Sequence, residues 1–392
     1  MKESLVIMRL NLHKQRGERM SGETFRCIAT AAFGTEGLVA AELKRLGFRD
    51  ARAESGGACF TADAAGIALA NLRLRCADRV LILLAEEKCE TFDALFRLVE
   101  RIPWEKHLAM DGRYNVSGKC VRSKLMSVRD CQSITKKALI ERMRKATGLS
   151  TFPETGAAFP IEVSLHSDIA RISLDTSGTA LNRRGYRTWN GEAPLRETLA
   201  AALVELSPWR PGMPLHDPCC GTGTLIIEAA LRAAHIAPGI HRIFACESFP
   251  SFQKVDWKAI REQLQEDIDL TRIGAVSGSD IDPESLELAR RHVKQAGLEG
   301  YISLLQTPLQ ELQREEPEGV FLCNPPYGER LGDRDSCRAL YADLHKLQRR
   351  HPGWKLCAIS SDPGFERAYG RHAARRRRLY NGRLECEFLI FE

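Results

Sequence analysis

The chain lacks any apolar run approaching the ~20 residues a helical membrane span requires, so no such span is expected. It has no Cys-x-x-Cys and no Cys/His grouping at zinc spacing, and the adjacent Cys219 and Cys220 cannot form a metal site alone. No metal is therefore expected. Its 13 cysteines are scattered and odd in number. That argues against a complete disulfide framework and for reduced thiols in a cytoplasmic protein. Internal repeats are absent, and the one biased tract is Arg375 to Arg378. The first residues, MKESLVIMRLNLHKQRGERMSG, have only a short apolar piece and no small-residue cleavage site. They do not read as a signal peptide. A tail over 1–24, or an extension before a start at Met20, is the expectation.

What is present is enough chain, 392 residues, for two or three domains. The net charge of +6 is uneven: residues 101–190 hold 16 Lys and Arg against 8 Asp and Glu, a local +8 that leaves −2 for the rest. One polyanion-binding module accounts for that; so does a solvated, lysine-rich face. Between Phe25 and about residue 180, strand-like and helix-like stretches alternate on an α+β scaffold. The helix predicted from Val128 to Lys145 has Ile134, Leu139 and Ile140 on its apolar side and Lys136, Lys137, Arg142, Arg144 and Lys145 on polar positions. Lys119, Arg122, Lys124 and Arg129 crowd the junction before it, where backbone N–H groups and cations suit phosphate.

The stretch LNRRGYRTWNGEAPL (181–195) reads as a connector. Arg183, Arg184 and Arg187 with Tyr186 and Trp189 fit single-stranded nucleic acid, where bases stack and phosphates pair. Packed aromatics in a plain linker are the alternative. From about Pro194 the pattern becomes a regular alternation of helices and strands, which predicts a doubly wound, mostly parallel sheet. Asn381-Gly382 signals a hairpin that adds antiparallel strands at one edge.

Three motifs carry chemistry. DPCCGTGT (217–224) lies where the first strand of this second sheet meets its helix. Gly221 and Gly223 permit a sharp turn and a close approach to ligand. The pattern has neither the GxGxxG of a dinucleotide fingerprint nor the GKS or GKT of a P-loop, so NAD and ATP are poor fits. Asp217 would repel phosphate and could hold an ammonium. Asp280, in GSDIDPES after the next strand, stands where an acid grips a ribose diol, or where it caps the following helix. A ribose grip, a glycine turn and an acid for an amine together describe S-adenosylmethionine.

The third motif is VFLCNPPYGERLG (320–332). Two prolines make a stiff hook at a strand end. A nucleobase amine is a poor nucleophile because its lone pair is delocalised into the ring. Two acceptors, the Asn324 side-chain carbonyl and the Pro325 backbone carbonyl, could hold its N–H bonds and aim the lone pair. Tyr327 offers a stacking face for an unstacked base.

Together with RRGYR and APLRE, these motifs resemble the THUMP-domain RNA methyltransferases over nearly the whole chain from Phe25. The resemblance implies a ferredoxin-like region at 25–80, a THUMP RNA-binding domain at 81–180, a linker at 181–193 and a Rossmann-like, S-adenosylmethionine-dependent domain at 194–392. It implies N2-methylation of a guanosine in structured RNA, 23S rRNA foremost, with tRNA guanine-N2 or N6-adenine methylation as alternatives. Carried over by motif, Asp217, Cys219, Gly221, Gly223, Asp280, Ile281 and Asn324 hold the cofactor, and Asn324, Pro325 and Tyr327 the amine. Gln306 and Thr307 occupy a place where relatives often carry an acid near the adenine. Lys119, Arg122, Lys124, Lys136, Arg183, Arg184, Tyr186 and Arg187 are the candidate RNA contacts.

Overall fold

A computed structural model describes residues 23–187, 195–327 and 333–392. The N-terminal 22 residues, Trp189, Ala193-Pro194 and the GERLG end of the hook motif lie outside the described residues. Two compact units emerge. The first holds residues 39–181 with the strand before them and residues 242–263; the second holds 32–38, 182–241 and 264–392.

The first unit is one seven-stranded mixed sheet in the order β2-β3-β1-β4-β7-β6-β5. Its strands are β1 (Phe25–Thr30), β2 (Arg52–Glu54), β3 (Gly57–Ala62), β4 (Arg79–Lys88), β5 (Arg113–Val121), β6 (Ala158–His166) and β7 (Ile169–Asp175). Neighbours pair antiparallel except β5 with β6. Helices α1 (Glu36–Arg45), α2 (Ala64–Arg73), α3 (Phe92–Glu100) and α4 (Val128–Thr147) are interleaved with them. Ser127 starts α4 by accepting the Asp130 N–H, and Gly148 ends it in a left-handed cap. The helix buries Cys131, Thr135, Ala138, Leu139 and Met143, while Ile134 and Ile140 are only half-buried. The segment 242–263, which folds as short turns and most of a helix, Trp257–Glu266, belongs to this unit. Phe249 stacks on Phe159 at 4.9 Å, and the Cys246 N–H reaches the Thr176 carbonyl at 3.1 Å.

The second unit is the doubly wound sheet expected from sequence. Its order is β10-β9-β8-β11-β12-β14-β13, from β8 (Leu215–Asp217), β9 (Val276–Asp280), β10 (Ile302–Gln306), β11 (Gly319–Cys323), β12 (Trp354–Ser360), β13 (Arg375–Asn381) and β14 (Leu384–Phe391). The first five run parallel, and β14 and β13 close one edge antiparallel. Alternation along β11 shows why its residues are apolar throughout. Val320 and Leu322 enter one core, with Leu203, Ile226 and Phe388; Phe321 and Cys323 enter the other, with Tyr341, Trp354 and Phe365. A strand covered on both faces has no polar side to show. The strand order reverses between β8 and β11, and the loops leaving their carboxyl ends flank the crevice where such sheets bind ligands.

Candidate active site

On the β8 side the crevice is a set of backbone N–H groups pinned by carboxylates. Gly221 has φ +49° and Gly223 has φ +84°, values that disfavour a side chain. Gly223 opens the helix Thr224–Ala233. A Cβ on Gly278 of β9 would lie 2.8 Å from the Cys220 Cβ, so the loop lies directly on the neighbouring strand. Asp280 ties the turn down: its Oδ2 accepts the Gly221 N–H at 2.8 Å and its Oδ1 the Asp282 N–H at 3.0 Å. The helix cap is therefore Asp282, which accepts from Glu284 and Ser285, and Asp280 is left half-exposed at the strand end.

Asp217 is 2% exposed. Burial pushes its carboxyl well above the usual range, the Cys219 N–H bond (3.0 Å) opposes this, and Asp280 adds to it. Among the described residues, no cation is among the groups acting on it. Burial and the neighbouring acids also push the Cys219 and Cys220 thiols well up, so neither is a nucleophile. Ile281 is 70% exposed beside Asp280. Gln306 ends β10 in register with Asp280 and reaches the Ile281 carbonyl at 3.5 Å; Thr307 N–H meets the Asp280 carbonyl at 3.2 Å. An adenosine fits here: a diol on a half-exposed carboxylate, a ring over Ile281. An ammonium fits a buried acid that no cation among the described residues is seen to neutralise.

On the β11 side the hook is held from below. Tyr341 donates to the Pro326 carbonyl at 2.8 Å. Asn324 is half-buried, and its Oδ1 accepts the Tyr327 hydroxyl. Tyr327 itself packs on the core, and burial pushes its phenol far up, so it stays a neutral donor. The acceptor expected to receive a base amine is thus occupied by the ring expected to stack on that base.

The connector is where sequence and structure part. Arg184 and Tyr186 are buried in the second unit and do not form a nucleic-acid platform. Both donate to Glu228 Oε1, at 3.3 and 3.1 Å. Arg187 pairs with Glu197 at 3.2 Å and donates to the Leu195 carbonyl. Asn182, Arg184, Tyr186 and Arg187 are thus a polar clasp on the helices carrying Glu197 and Glu228; Arg183 alone of the predicted contacts in this stretch is exposed. A cluster of cations and aromatics gives the same composition whether it faces RNA or buried glutamates.

In the first unit Lys119, Lys124 and Lys136 are each ion-paired, to Glu162, Glu90 and Glu154. Arg122, Arg129 and Lys137 are exposed with no ion pair among the described residues. Arg122 also has φ +49°, an uncommon conformation for a non-glycine residue.

Family models match three consecutive stretches: the RlmL ferredoxin-like domain over 26–81, the THUMP domain over 89–175 and the RMKL-like methyltransferase domain over 184–390. The chain belongs to the RMKL-like methyltransferase family. The resemblance to THUMP-domain RNA methyltransferases is thereby borne out. YpsC of Bacillus subtilis, provisionally named an RNA methyltransferase, is 39% identical over 93% of this chain and 95% of its own. The ribosomal RNA large subunit methyltransferase K/L of Syntrophotalea carbinolica is 35% identical over 93% of this chain, but this chain spans only 53% of it. A Listeria monocytogenes structure described as a predicted N6-adenine-specific DNA methylase is 40% identical with a TM-score of 0.89, covering 94% of this chain and 96% of that one. SMU.472, provisionally named a methyltransferase and complexed with S-adenosylhomocysteine, is 38% identical with a TM-score of 0.88, covering 94% and 98%. A cofactor of this class agrees with the RMKL-like fold and with the fit of the β8 side.

Proposed function

We propose that this chain methylates the exocyclic N2 of a guanosine in structured RNA, using S-adenosylmethionine. The observation that carries the reading is Asn324 at the carboxyl end of β11, on a proline hook braced by Tyr341, across the switch point from the Asp280-pinned glycine turn. When bound, S-adenosylmethionine supplies a sulfonium methyl, an electrophile that needs no further activation. Asp280 holds the ribose, Ile281 and Gln306 flank the adenine, and Asp217 takes the ammonium. Asn324 Oδ1 and the Pro325 carbonyl accept the two N2 hydrogens, which draws the amine lone pair out of conjugation and aims it. Both acceptors stabilise positive charge developing on nitrogen, and one N2 proton leaves to solvent. Tyr327 turns from Asn324 to the face of the extruded base. The module at 81–180 grips the RNA, with Arg122, Arg129 and Lys137 free to meet phosphate. Reduced thiols and an RNA substrate suit a cytoplasmic enzyme.

The name of the K/L relative favours large-subunit rRNA as substrate; tRNA is the second pool. The name given to the Listeria protein keeps N6-adenine as the rival product. The test uses methyl-labelled S-adenosylmethionine with rRNA and tRNA from cells lacking this gene, digested to nucleosides. N2-methylguanosine in one pool, lost with Asn324→Ala, is the expected result. N6-methyladenosine, or no label in either pool, would sink the reading.

A further inference from the structure

Beside the hook, with Tyr327 in its wall, lies a cavity of about 790 Å³, within the size range of small-ligand sites. Tyr327 lines it together with Arg338, Ser361, Asp362, Pro363 and Arg367. None of the last five is assigned a role by the motifs above. Asp362 sits just past β12, which runs parallel to β11, so both strands deliver their loops to the same edge. A chain of contacts joins the two loops. Tyr341 donates to Pro326 and packs on Phe365 at 4.3 Å, and the Phe365 N–H is bound by the Asp362 carbonyl at 3.1 Å.

The Asp362 side chain is itself fixed. Its Oδ1 accepts the Gly364 N–H at 2.7 Å, and its backbone N–H is held by Ser360 Oγ at 3.1 Å. Among the described residues Oδ2 has no ion pair or hydrogen bond. Resting on the guanine-N2 reading, we infer that Asp362 is the residue that selects guanine over adenine, and that Arg338 and Arg367 hold the phosphates flanking the extruded nucleotide.

The chemistry lies in the base edges. Beside its N2 amine, guanine carries N1–H, a donor. Beside its N6 amine, adenine carries N1 as a bare lone pair. A carboxylate oxygen accepts from the first and repels the second. With the amine on Asn324 and Pro325, Asp362 Oδ2 takes N1–H, so a single immobile anion distinguishes the two bases. Arg338 and Arg367 come from separate helices, Asp333–Arg350 and Phe365–Tyr369, and both are exposed at the cavity wall. Arg338 has only a 3.7 Å pairing with Asp335, and Arg367 has no ion pair among the described residues. Guanidinium groups so placed match phosphate oxygens.

The experiment uses the full chain, both RNA pools and nucleoside analysis, with calorimetric affinity for S-adenosylmethionine and thermal midpoint measured on every variant. Asp362→Asn keeps the Oδ1 cap on Gly364 but can turn an amide donor toward guanine N1–H. Asp362→Ala removes the cap and adds no donor. The expected result is that Asn lowers kcat/KM about a hundredfold and Ala about tenfold, with cofactor affinity unchanged. A residue that merely capped the loop would give the reverse order, with Ala the worse variant and the lower thermal midpoint. Arg338→Ala with Arg367→Ala should raise KM about tenfold, spare kcat and reduce the salt dependence of RNA binding by about two counterions. Wild-type N2-methylguanosine with Asn within twofold of wild type, or with Ala worse than Asn, would remove Asp362 as the selector and leave the guanine-N2 reading standing. Wild-type N6-methyladenosine would overturn both.

Discussion

The two halves of the catalytic crevice are built on opposite plans. On the β8–β9 side, anions organise donors: Asp280 commits one oxygen to each of two backbone N–H groups, and Asp217 commits one to Cys219. On the β11–β12 side, acceptors are organised by tyrosines: Tyr341 braces the hook and Tyr327 covers Asn324. The first plan suits a ligand that is cationic and rich in hydroxyls. The second suits an uncharged amine that must be persuaded to attack. On the proposed reading one sheet edge thus presents a carboxylate-pinned turn to one ligand and neutral carbonyl acceptors to the other.

The largest test of that division is Asn324→Ala. It should lower kcat about a thousandfold, as loss of a transition-state hydrogen bond does, while calorimetric affinity for S-adenosylmethionine falls no more than several-fold, Asn324 being the one residue carried over to both cofactor and amine. A matching loss of cofactor binding would mean the halves are not separate. Asp280→Ala should do the converse, weakening cofactor affinity about fiftyfold through lost charged hydrogen bonds and a slackened turn. Arg184→Met lies outside both halves. Leaving the buried Glu228 without its cation, on the Tyr186 hydroxyl alone, should cost about 3 kcal/mol in denaturant unfolding, with KM for RNA little changed in what remains folded. An RNA-affinity loss without destabilisation would restore the connector as a contact surface.

Asp217 gives a pH signature. Its carboxyl is raised by burial, so the free protein holds it protonated to a higher pH than an ordinary carboxylate. Cofactor binding to the ionised form should therefore strengthen as pH rises through that raised value and weaken below it. Asp280 and the Cys219 N–H are the groups facing it, and Asp217→Asn should flatten the profile. The smallest effect is expected in the first unit. Arg122, Arg129 and Lys137 changed together to Ala should raise KM for RNA several-fold and lower the salt slope by about three, whereas Lys119→Ala, ion-paired to Glu162, should change little.

What the sequence made legible was local. The glycine turn, the acid after the second strand and the proline hook are each set within a few residues, and the two-sided burial of β11 writes itself as VFLC. The doubly wound order and its antiparallel edge followed from the alternation of elements and from Asn381-Gly382. The clasp was illegible because Glu228 lies 42 and 44 residues from Tyr186 and Arg184, on a helix whose other residues read as plain core. The cavity was missed for the same reason. SSDPG after β12 reads as a turn, and Arg338 and Arg367 come from two helices. Yet an acid at the carboxyl end of a strand beside the hook was a signal available in the sequence.

The bond from Tyr327 to Asn324 also bears on what the protein does between encounters. An exposed carboxamide facing a bound sulfonium would order a water at the spot reserved for the amine. In the proposed site the phenol would stand there in its place, like a blank filling an empty socket. On the proposed reading a loaded molecule can then wait for its RNA without setting a water where methyl transfer would occur, and arrival of the base would remove the blank by giving its ring something else to cover.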